Sequence, residues 1–294
     1  MTRALRRVAA AVVLGSLVVA TAAAARTTAN IPHVTLIGDS VADAIAETST
    51  AVAQAGREVS LELQVAPCRR VAGVSCPYQG TRPPTVIDLV HSLGPELGPN
   101  VVVAVGYNDP EDSYPQDIED AVTALEAAGV KHILWLTLRA ARHPYLTMND
   151  GIAAMASRHD DVTVVDWNVY SRSHPDWFQS DGIHLTGAGA QAMATLIHTS
   201  LTKAGIAPPD VRVQTARLPA AKRGTPYSAK LVGAAGIAPY RWSLLERAPA
   251  GLHLAPGGLV HGTPRAGAGA YAFGVRVTDA SGTSSTRRLM LRVH

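Results

Sequence analysis

Residues 34–41 read VTLIGDSV, an apolar run that ends in Gly-Asp-Ser. A short run of apolar and β-branched residues followed by glycine predicts a buried strand that stops at Gly38. The helical pattern of residues 41–54 begins directly after Ser40. Because a strand that leads straight into a helix opens a βα unit, we expect a parallel sheet with Ser40 at the carboxyl end of a strand.

The same alternation continues to about residue 204. Further strands are predicted at residues 59–63, 101–105, 132–137 and 162–165, and further helices at 85–93, 116–128, 146–158 and 187–203. Strands and helices at this spacing indicate a parallel sheet that is covered on both faces. Right-handed crossovers then give an α/β domain, a doubly wound, flavodoxin-like sandwich over residues 31–205.

A second domain is predicted after the proline-containing linker of residues 206–210. Residues 211–294 show no helical pattern. Short alternating runs such as 271–277 and 288–293 are separated there by Gly- and Pro-rich turns. This pattern is typical of a small all-β sandwich.

The first 25 residues resemble a secretory signal peptide. Basic residues Arg3, Arg6 and Arg7 precede an apolar run at 8–20, and small residues at 22–25 offer a cleavage site. We therefore expect a secreted, extracellular protein, with association to the cell wall as an option. The alternative is an uncleaved membrane anchor, which the shortness of the apolar run disfavours.

Charge is divided unevenly along the chain, whose formal net charge is +3. Residues 26–210 carry 11 basic and 21 acidic side chains, a net of −10. Residues 211–294 carry ten arginines and two lysines against two acidic residues, a net of +10. The opposite signs indicate two modules with different tasks. A composition of 47% hydrophobic and 17% charged residues excludes a disordered chain.

The chain has two cysteines, Cys68 and Cys76. In an exported protein they predict one local disulfide, with two reduced thiols as the alternative. A metal site is not expected, because two thiols without clustered histidines lack a ligand set. No cofactor is expected either.

Three polar motifs fall at one edge of the predicted sheet: residues 38–40, 106–109 and 181–184. Each follows a strand or precedes the last helix, and ligands of open parallel sheets bind at the carboxyl ends of the strands. Taken singly, each motif is an ordinary turn or helix cap. Taken together, they predict a hydrolytic site.

The residue types in these motifs suit acyl transfer through a serine. Ser40 is the candidate nucleophile and needs a base, which His184 supplies. Asp181, three residues earlier, can orient one imidazole nitrogen while the other faces Ser40. Asn108 can donate its side-chain N–H to a developing oxyanion.

With these residues the chain resembles the SGNH (GDSL) hydrolase family over roughly residues 33–204. Ser40, Asn108 and His184 match three of the four blocks that define the family, and Asp181 matches its aspartate before the histidine. The family contains esterases, lipases and acyl-carbohydrate deacylases. The resemblance therefore implies ester hydrolysis without a cofactor.

The family's second block, whose glycine N–H is an oxyanion donor, has no clear match. It should lie within residues 66–73, where Arg69 is favoured by its distance from the strand and Gly73 is the rival. The N–H of Ser40 is a further candidate donor. A disulfide between the cysteines would stiffen this loop, or serve general loop stability.

Residues 165–181 resemble the SGNH domains attached to membrane acyltransferases that O-acetylate cell-wall sugars. This resemblance implies acyl transfer to sugars as a second activity class. Trp177 is then a candidate for the acceptor site, although packing within the loop is equally expected. Tyr107 is a candidate for narrowing the substrate pocket.

Residues 211–294 resemble the Ig-like domain found in tandem on bacterial surface proteins. The resemblance is carried by residues 224–229, 238–243, 249–254, 262–264 and 271–279. It implies the fold but says little about a ligand. The net charge of +10 favours either an anionic cell-wall or surface polymer as partner or a solvated spacer. Nucleic acid is not expected as a partner.

The leading interpretation is a secreted serine esterase that removes small acyl groups, above all acetyl, from a carbohydrate ester through an acyl-serine. An O-acyltransferase acting on cell-wall sugars is the first alternative, and a lipase or phospholipase is the second. The non-enzymatic alternative is a surface-binding protein with a decayed hydrolase domain.

Overall fold

The computed structural model describes residues 30–141 and 143–294. The predicted signal peptide, residues 1–25, lies outside the described residues and stays a prediction. Among the described residues, no helix combines the length and the apolar character that a membrane span requires.

The N-terminal region is a five-stranded sheet flanked by helices. Its strands are β1 (His33–Gly38), β2 (Ser60–Val65), β3 (Asn100–Ala104), β4 (His132–Leu136) and β5 (Val162–Val165). Its α-helices are α1 (Ser40–Ala46), α2 (Ser49–Ala55), α3 (Val86–Leu93), α4 (Tyr114–Ala127), α5 (Tyr145–Ala156), α6 (Trp167–Ser171) and α7 (Gly187–Lys203). The strand order β2-β1-β3-β4-β5, with every pair parallel, confirms the flavodoxin-like prediction.

The sheet separates two hydrophobic cores. Along β3, Val102 and Ala104 face the core that includes α1, α2 and α7, whereas Val101 and Val103 face the core of α3, α4 and α5. Successive side chains of a strand point to opposite faces. A strand buried on both faces is therefore apolar at every position, which is why β3 could be recognised from its sequence.

The predicted helix at 41–54 is wrong in one respect, since the structure splits it into α1 and α2. The break falls at Thr48, whose backbone is extended with φ −116° and ψ 100°. Thr48 begins a Thr-Ser-Thr run, and such residues favour helix starts over helix interiors because their hydroxyls compete for backbone hydrogen bonds. The apolar spacing continues across the break, so the periodicity alone did not reveal it.

The C-terminal region contains only strands among its regular elements. They are β6 (Arg212–Val213), β7 (Tyr227–Lys230), β8 (Gly233–Ala234), β9 (Arg241–Leu244), β10 (Leu252–Leu254), β11 (Leu259–Gly262), β12 (Gly269–Thr278) and β13 (Ser284–Val293). They form antiparallel sheets with the orders β10-β11-β7, β13-β12-β9 and β6-β8. Their inner faces bury Trp242, Phe273 and Leu289 in one core, which confirms the all-β prediction.

Candidate active site

The end of β1 and the end of β3 are joined through the buried carboxylate of Asp39. Its Oδ2 accepts the N–H groups of Gly106 and Tyr107, both at 3.1 Å, and its Oδ1 accepts the N–H of Val41 at 3.0 Å. Burial raises the pKa of Asp39 to about 6, against the lowering effect of these three N–H groups. Asp39 thereby fixes the neighbouring Ser40 relative to the loop after β3.

Ser40 and His184 are brought into contact from positions 144 residues apart. Ser40 Oγ lies 3.0 Å from His184 Nε2. Ser40 is the first residue of α1, and His184 lies in the loop before α7, where Asp181 Oδ2 is 2.5 Å from His184 Nδ1. The three side chains therefore form one chain of hydrogen bonds in the order serine, histidine, aspartate.

Asp181 is held by its own turn as well as by the imidazole. Its Oδ1 accepts the N–H of Ile183 at 2.9 Å and the N–H of His184 at 3.0 Å. Partial burial acts to raise the pKa of Asp181, but the bonds with His184 and with the two N–H groups outweigh it and lower the pKa to about 2. The carboxylate is therefore ionised at neutral pH.

Asn108 and Asp109 tie the loop after β3 to the loop after β2. Asn108 Nδ2 donates to the carbonyl of Arg69 at 3.2 Å, and Asp109 Oδ1 accepts the N–H of Val71 at 2.8 Å. Burial raises the pKa of Asp109 to about 7. Both side chains thus fix the position of the segment that contains Cys68.

The segment after β2 is constrained by a disulfide and by a tight turn. Cys68 and Cys76 form the predicted disulfide. The N–H of Arg69 bonds the carbonyl of Ala66 at 3.4 Å, with Pro67 and Cys68 between them and a φ of +68° at Cys68. This is the arrangement of a type II turn, in which glycine usually occupies the position that Cys68 has here.

These elements enclose a cleft of about 370 Å³. Ser40, Asn108 and His184 lie on its wall, and so do Pro67 and Cys68. The remaining lining residues were not predicted from the sequence: Asp43, Ala44, Glu47, Tyr78, Gln179 and Leu185. Asp43 and Glu47 could have been predicted to lie near Ser40, because residues three and seven places after it share its face of a helix.

The arrangement of the strands and of these side chains decides the type of domain. The strand order is 2-1-3-4-5, with the serine after β1, the asparagine after β3 and the Asp-His pair before the last helix. The N-terminal domain thus has the flavodoxin-like strand order and the order of site residues that the resemblance to the SGNH hydrolases implies. Residues 209–294 match the family model described as "Putative Ig domain", and the C-terminal domain is Ig-like.

Curated relatives match between a quarter and about a third of the chain. "Putative peptidoglycan O-acetyltransferase YrhL" of Bacillus subtilis is 33% identical over 73 residues, which are 25% of this chain and 12% of that protein. "O-acetyltransferase OatA" of Staphylococcus aureus is 33% identical over 100 residues, which are 34% of this chain and 16% of that protein. The chain therefore spans no more than about a sixth of the length of these relatives.

Among solved structures, TesA is similar to the chain with 18% identity and a TM-score of 0.46. The match covers 58% of this chain and 98% of that one. A carbohydrate esterase of family 3 from Talaromyces cellulolyticus matches 59% of this chain and 97% of that one, with 17% identity and a TM-score of 0.40.

Neither Arg69 nor Gly73, the two candidates for an oxyanion donor in this segment, lines the cleft. The side chain of Arg69 is buried and donates to the carbonyls of Gly38 at 3.1 Å and Pro84 at 2.6 Å. Gly73 has a φ of +72°, and a Cβ added to it would meet nothing within 4 Å. In this segment the cleft is lined by Pro67 and Cys68. A backbone N–H can belong to any residue type except proline. Apart from Pro67, which favours a turn, the sequence therefore did not indicate that Cys68 lines the cleft.

The two predicted substrate contacts, Tyr107 and Trp177, do not line the cleft. The hydroxyl of Tyr107 accepts the N–H of Arg139 at 2.7 Å, and its ring packs edge-on against Tyr145. Trp177 stacks on His174, with ring centroids 3.8 Å apart, and on Trp167 at 6.1 Å. Both aromatic residues pack within the loops around the site. For Trp177, packing within the loop was the alternative to a role in the acceptor site.

One group of side chains in the described part of the chain has the spacing of metal ligands: Glu126, His159 and Asp161. It lies next to the start of β5, at the sheet edge opposite the cleft. His159 Nδ1 is 2.7 Å from Glu126, and its Nε2 is 2.9 Å from Glu119. Both imidazole nitrogens therefore already have partners, and the group has no connection to the cleft.

Proposed function

We propose that this protein is a serine esterase that removes small acyl groups, above all acetyl, from hydroxyl groups of a carbohydrate. The observation that carries the proposal is the contact of Ser40 Oγ with His184 Nε2 at 3.0 Å, backed by Asp181 at 2.5 Å from Nδ1. The curated relatives named as peptidoglycan O-acetyltransferases support acetyl as the acyl group and a sugar as its carrier.

In the proposed reaction the Asp181 carboxylate holds a proton on His184 Nδ1, so Nε2 is free to accept one. The Ser40 hydroxyl donates its proton to Nε2 while its oxygen bonds to the ester carbonyl carbon. The proton then passes from Nε2 to the leaving alcohol oxygen as the ester C–O bond breaks. Water, deprotonated by the same nitrogen, attacks the acyl-serine, and acetate leaves as Ser40 regains its proton.

Three N–H groups are available for the oxyanion in this proposal. The N–H of Ser40 is the first of α1 and has no carbonyl partner within its own helix. The Asn108 amide has two hydrogens, and one of them donates to Arg69. The third is the N–H of Cys68, the residue that the turn places on the cleft wall. Fixed donors of this kind stabilise the charge that develops in the transition state.

The dimensions of the cleft favour a small ester. Its volume of about 370 Å³ lies near the lower end of the roughly 300–1,000 Å³ that is usual for ligand pockets. Its rim carries the carboxylates of Asp43 and Glu47, which are poor neighbours for a long acyl chain because their desolvation is costly. These features support an acetylesterase over a lipase or phospholipase.

The second candidate function is transfer of the acetyl group to a cell-wall sugar. It is favoured by the relatives' names and shares the acyl-serine step, so it differs only in whether water or a sugar hydroxyl attacks. Full-length protein given p-nitrophenyl acetate with and without a chitooligosaccharide acceptor separates the two. Free acetate in both reactions supports the esterase, and acetylated sugar at the expense of acetate supports the transferase. Failure to release p-nitrophenol would overturn both.

A further inference from the structure

The face of α1 that begins with Ser40 continues with two carboxylates. Asp43 lies within α1 and Glu47 is the C-cap residue of α1, still in helical backbone conformation; their spacings of three and seven residues from Ser40 place all three on one side of the helix. All three line the cleft. At 1.5 Å per residue, the Cα atoms of Asp43 and Glu47 lie about 4.5 and 10.5 Å further along the helix axis than that of Ser40.

Neither carboxylate has an ion-pair partner among the residues that the structure describes. No ion pair of Asp43 or Glu47 occurs within residues 30–141 and 143–294. The cleft wall includes no lysine or arginine from the same residues. Glu47 is exposed and Asp43 is half-buried. The cleft that contains the nucleophile therefore carries a formal charge of −2 apart from His184.

An aromatic ring completes this side of the cleft. Tyr78 lines the cleft and is 45% exposed. Its backbone pairs with Thr81 through hydrogen bonds of 2.7 and 3.0 Å, across a turn with positive φ at Gln79 and Gly80. Positive φ at both central residues is the geometry of a tight hairpin turn. The ring is thus presented by a short, closed loop.

We propose that the cleft selects esters whose alcohol half carries a positive charge. Exposed carboxylates attract a cation directly, and the face of an aromatic ring attracts it through the ring quadrupole. This proposal rests on the proposed esterase function. The positive charge must be on the alcohol half of the ester, because the proposed acyl group, acetyl, is uncharged. The chemical class is an O-acetylated alcohol with an amine or quaternary ammonium about 5–10 Å from the ester. An amino sugar whose nitrogen is not acylated is one such alcohol.

The test compares two esters of the same shape on the full-length protein. Acetylcholine carries a quaternary ammonium, and 3,3-dimethylbutyl acetate has carbon in place of that nitrogen. We expect a higher kcat/KM for acetylcholine, with the ratio of the two values falling as salt is raised. Glu47→Gln and Asp43→Asn should each lower this ratio by roughly two- to fivefold. Tyr78→Leu should lower it by a similar factor and Tyr78→Phe should not, because phenylalanine keeps the ring.

A matched control is Glu96→Gln, which removes one exposed carboxylate from the opposite edge of the sheet, just before β3. Its ratio should equal that of the parent protein. Equal kcat/KM for both esters, or a ratio that none of the cleft variants changes, would overturn the selectivity while leaving the esterase function intact. Absence of turnover on both esters and on p-nitrophenyl acetate would instead overturn the proposed function itself.

Discussion

At the scale of single residues, the site depends on short local motifs that fix their own geometry. Asp181 and His184 are three residues apart, and two backbone N–H groups of the same turn hold the carboxylate. Such a motif can be predicted, because spacing alone places its atoms. Tyr78 could not be predicted, since its position depends on the course of the loop after β2. Tyr107 and Trp177 were predicted from nearness in sequence to the motifs, and their rings turn into loop packing instead.

Asp39 allows a test of the site's electrostatics at this scale. Its pKa is raised from the ordinary 3.8 to about 6 by burial. Between these values the folded protein holds a proton that the unfolded chain has released. The contribution of Asp39 to stability is therefore fully present below pH 3.8 and is lost as the pH rises through about 6. The loss amounts to about 3 kcal/mol.

The measurement is urea unfolding of the parent and of Asp39→Asn at pH 4 and pH 7. The asparagine side chain of the variant does not titrate, so the parent should lose about 2.4 kcal/mol relative to the variant between pH 4 and pH 7, which is most of the full loss. Far-UV circular dichroism at both pH values serves as the control for folding. A stability difference between parent and variant that is the same at pH 4 and pH 7 would contradict the raised pKa.

At the scale of elements, strands were predicted more closely than helices and loops. Strands β3 and β5 could be recognised because each is a continuous run of apolar or β-branched residues. The division between α1 and α2 leaves the apolar period intact and was missed. Helix α6 was also missed, because its aromatic residues pack into a cluster with Trp177 and Phe178 rather than forming a stripe of helical period. Tertiary packing, not local propensity, decides such segments.

The disulfide loop gives the prediction at this scale. Replacing both cysteines, Cys68→Ser with Cys76→Ser, opens a nine-residue loop. We expect the unfolding free energy of the N-terminal domain to fall by roughly 2–3 kcal/mol. We also expect turnover of p-nitrophenyl acetate to fall, because Cys68 lies on the cleft wall.

Dithiothreitol is the control for the disulfide prediction. It should lower the stability of the parent to that of the double variant and leave the variant unchanged. A parent protein that is equally stable with and without the reductant would show that the disulfide does not stabilise the domain.

At the scale of the whole molecule, the two domains touch through polar contacts as well as through the chain. Ser281 Oγ of the C-terminal domain lies 2.9 Å from Glu58 Oε2. Arg57 Nη2 lies 2.5 Å from Asp210 Oδ2 in the linker. Burial, followed by the contact with Asp279, raises the pKa of Glu58. Residues 206 and 207 are themselves buried. We propose that the domain boundary lies at residues 206–210. The first two residues of this linker pack into the core of the N-terminal domain.

Four arginines of the Ig-like domain share one surface. The pairing of β13, β12 and β9 places Arg241, Arg276, Arg288 and Arg292 on the same exposed face of a sheet. We propose that this arginine face binds an anionic cell-wall polymer. The sequence predicted the charge but not its concentration, because the face depends on strand register.

Binding of full-length protein to lipoteichoic acid at increasing salt tests this surface. Arg241→Gln with Arg276→Gln and Arg292→Gln should weaken binding at low salt, and salt should weaken binding of the parent. The matched control is Arg212→Gln with Arg217→Gln, two basic residues outside this face. Binding that is insensitive to salt and to the triple substitution would mean that the arginine face is not the contact.

The most direct test of the central claim is to trap the acyl-enzyme on Ser40. Full-length protein is mixed with p-nitrophenyl acetate, quenched in acid within the first turnover, and digested for peptide mass analysis. We predict one acetyl group on the hydroxyl of Ser40, and loss of both this label and steady-state turnover in Ser40→Ala. The variant should remain folded, because alanine at a helix start costs only about 1 kcal/mol. Undiminished turnover by a folded Ser40→Ala variant, or an acetyl group on a different residue of the parent, would contradict the account.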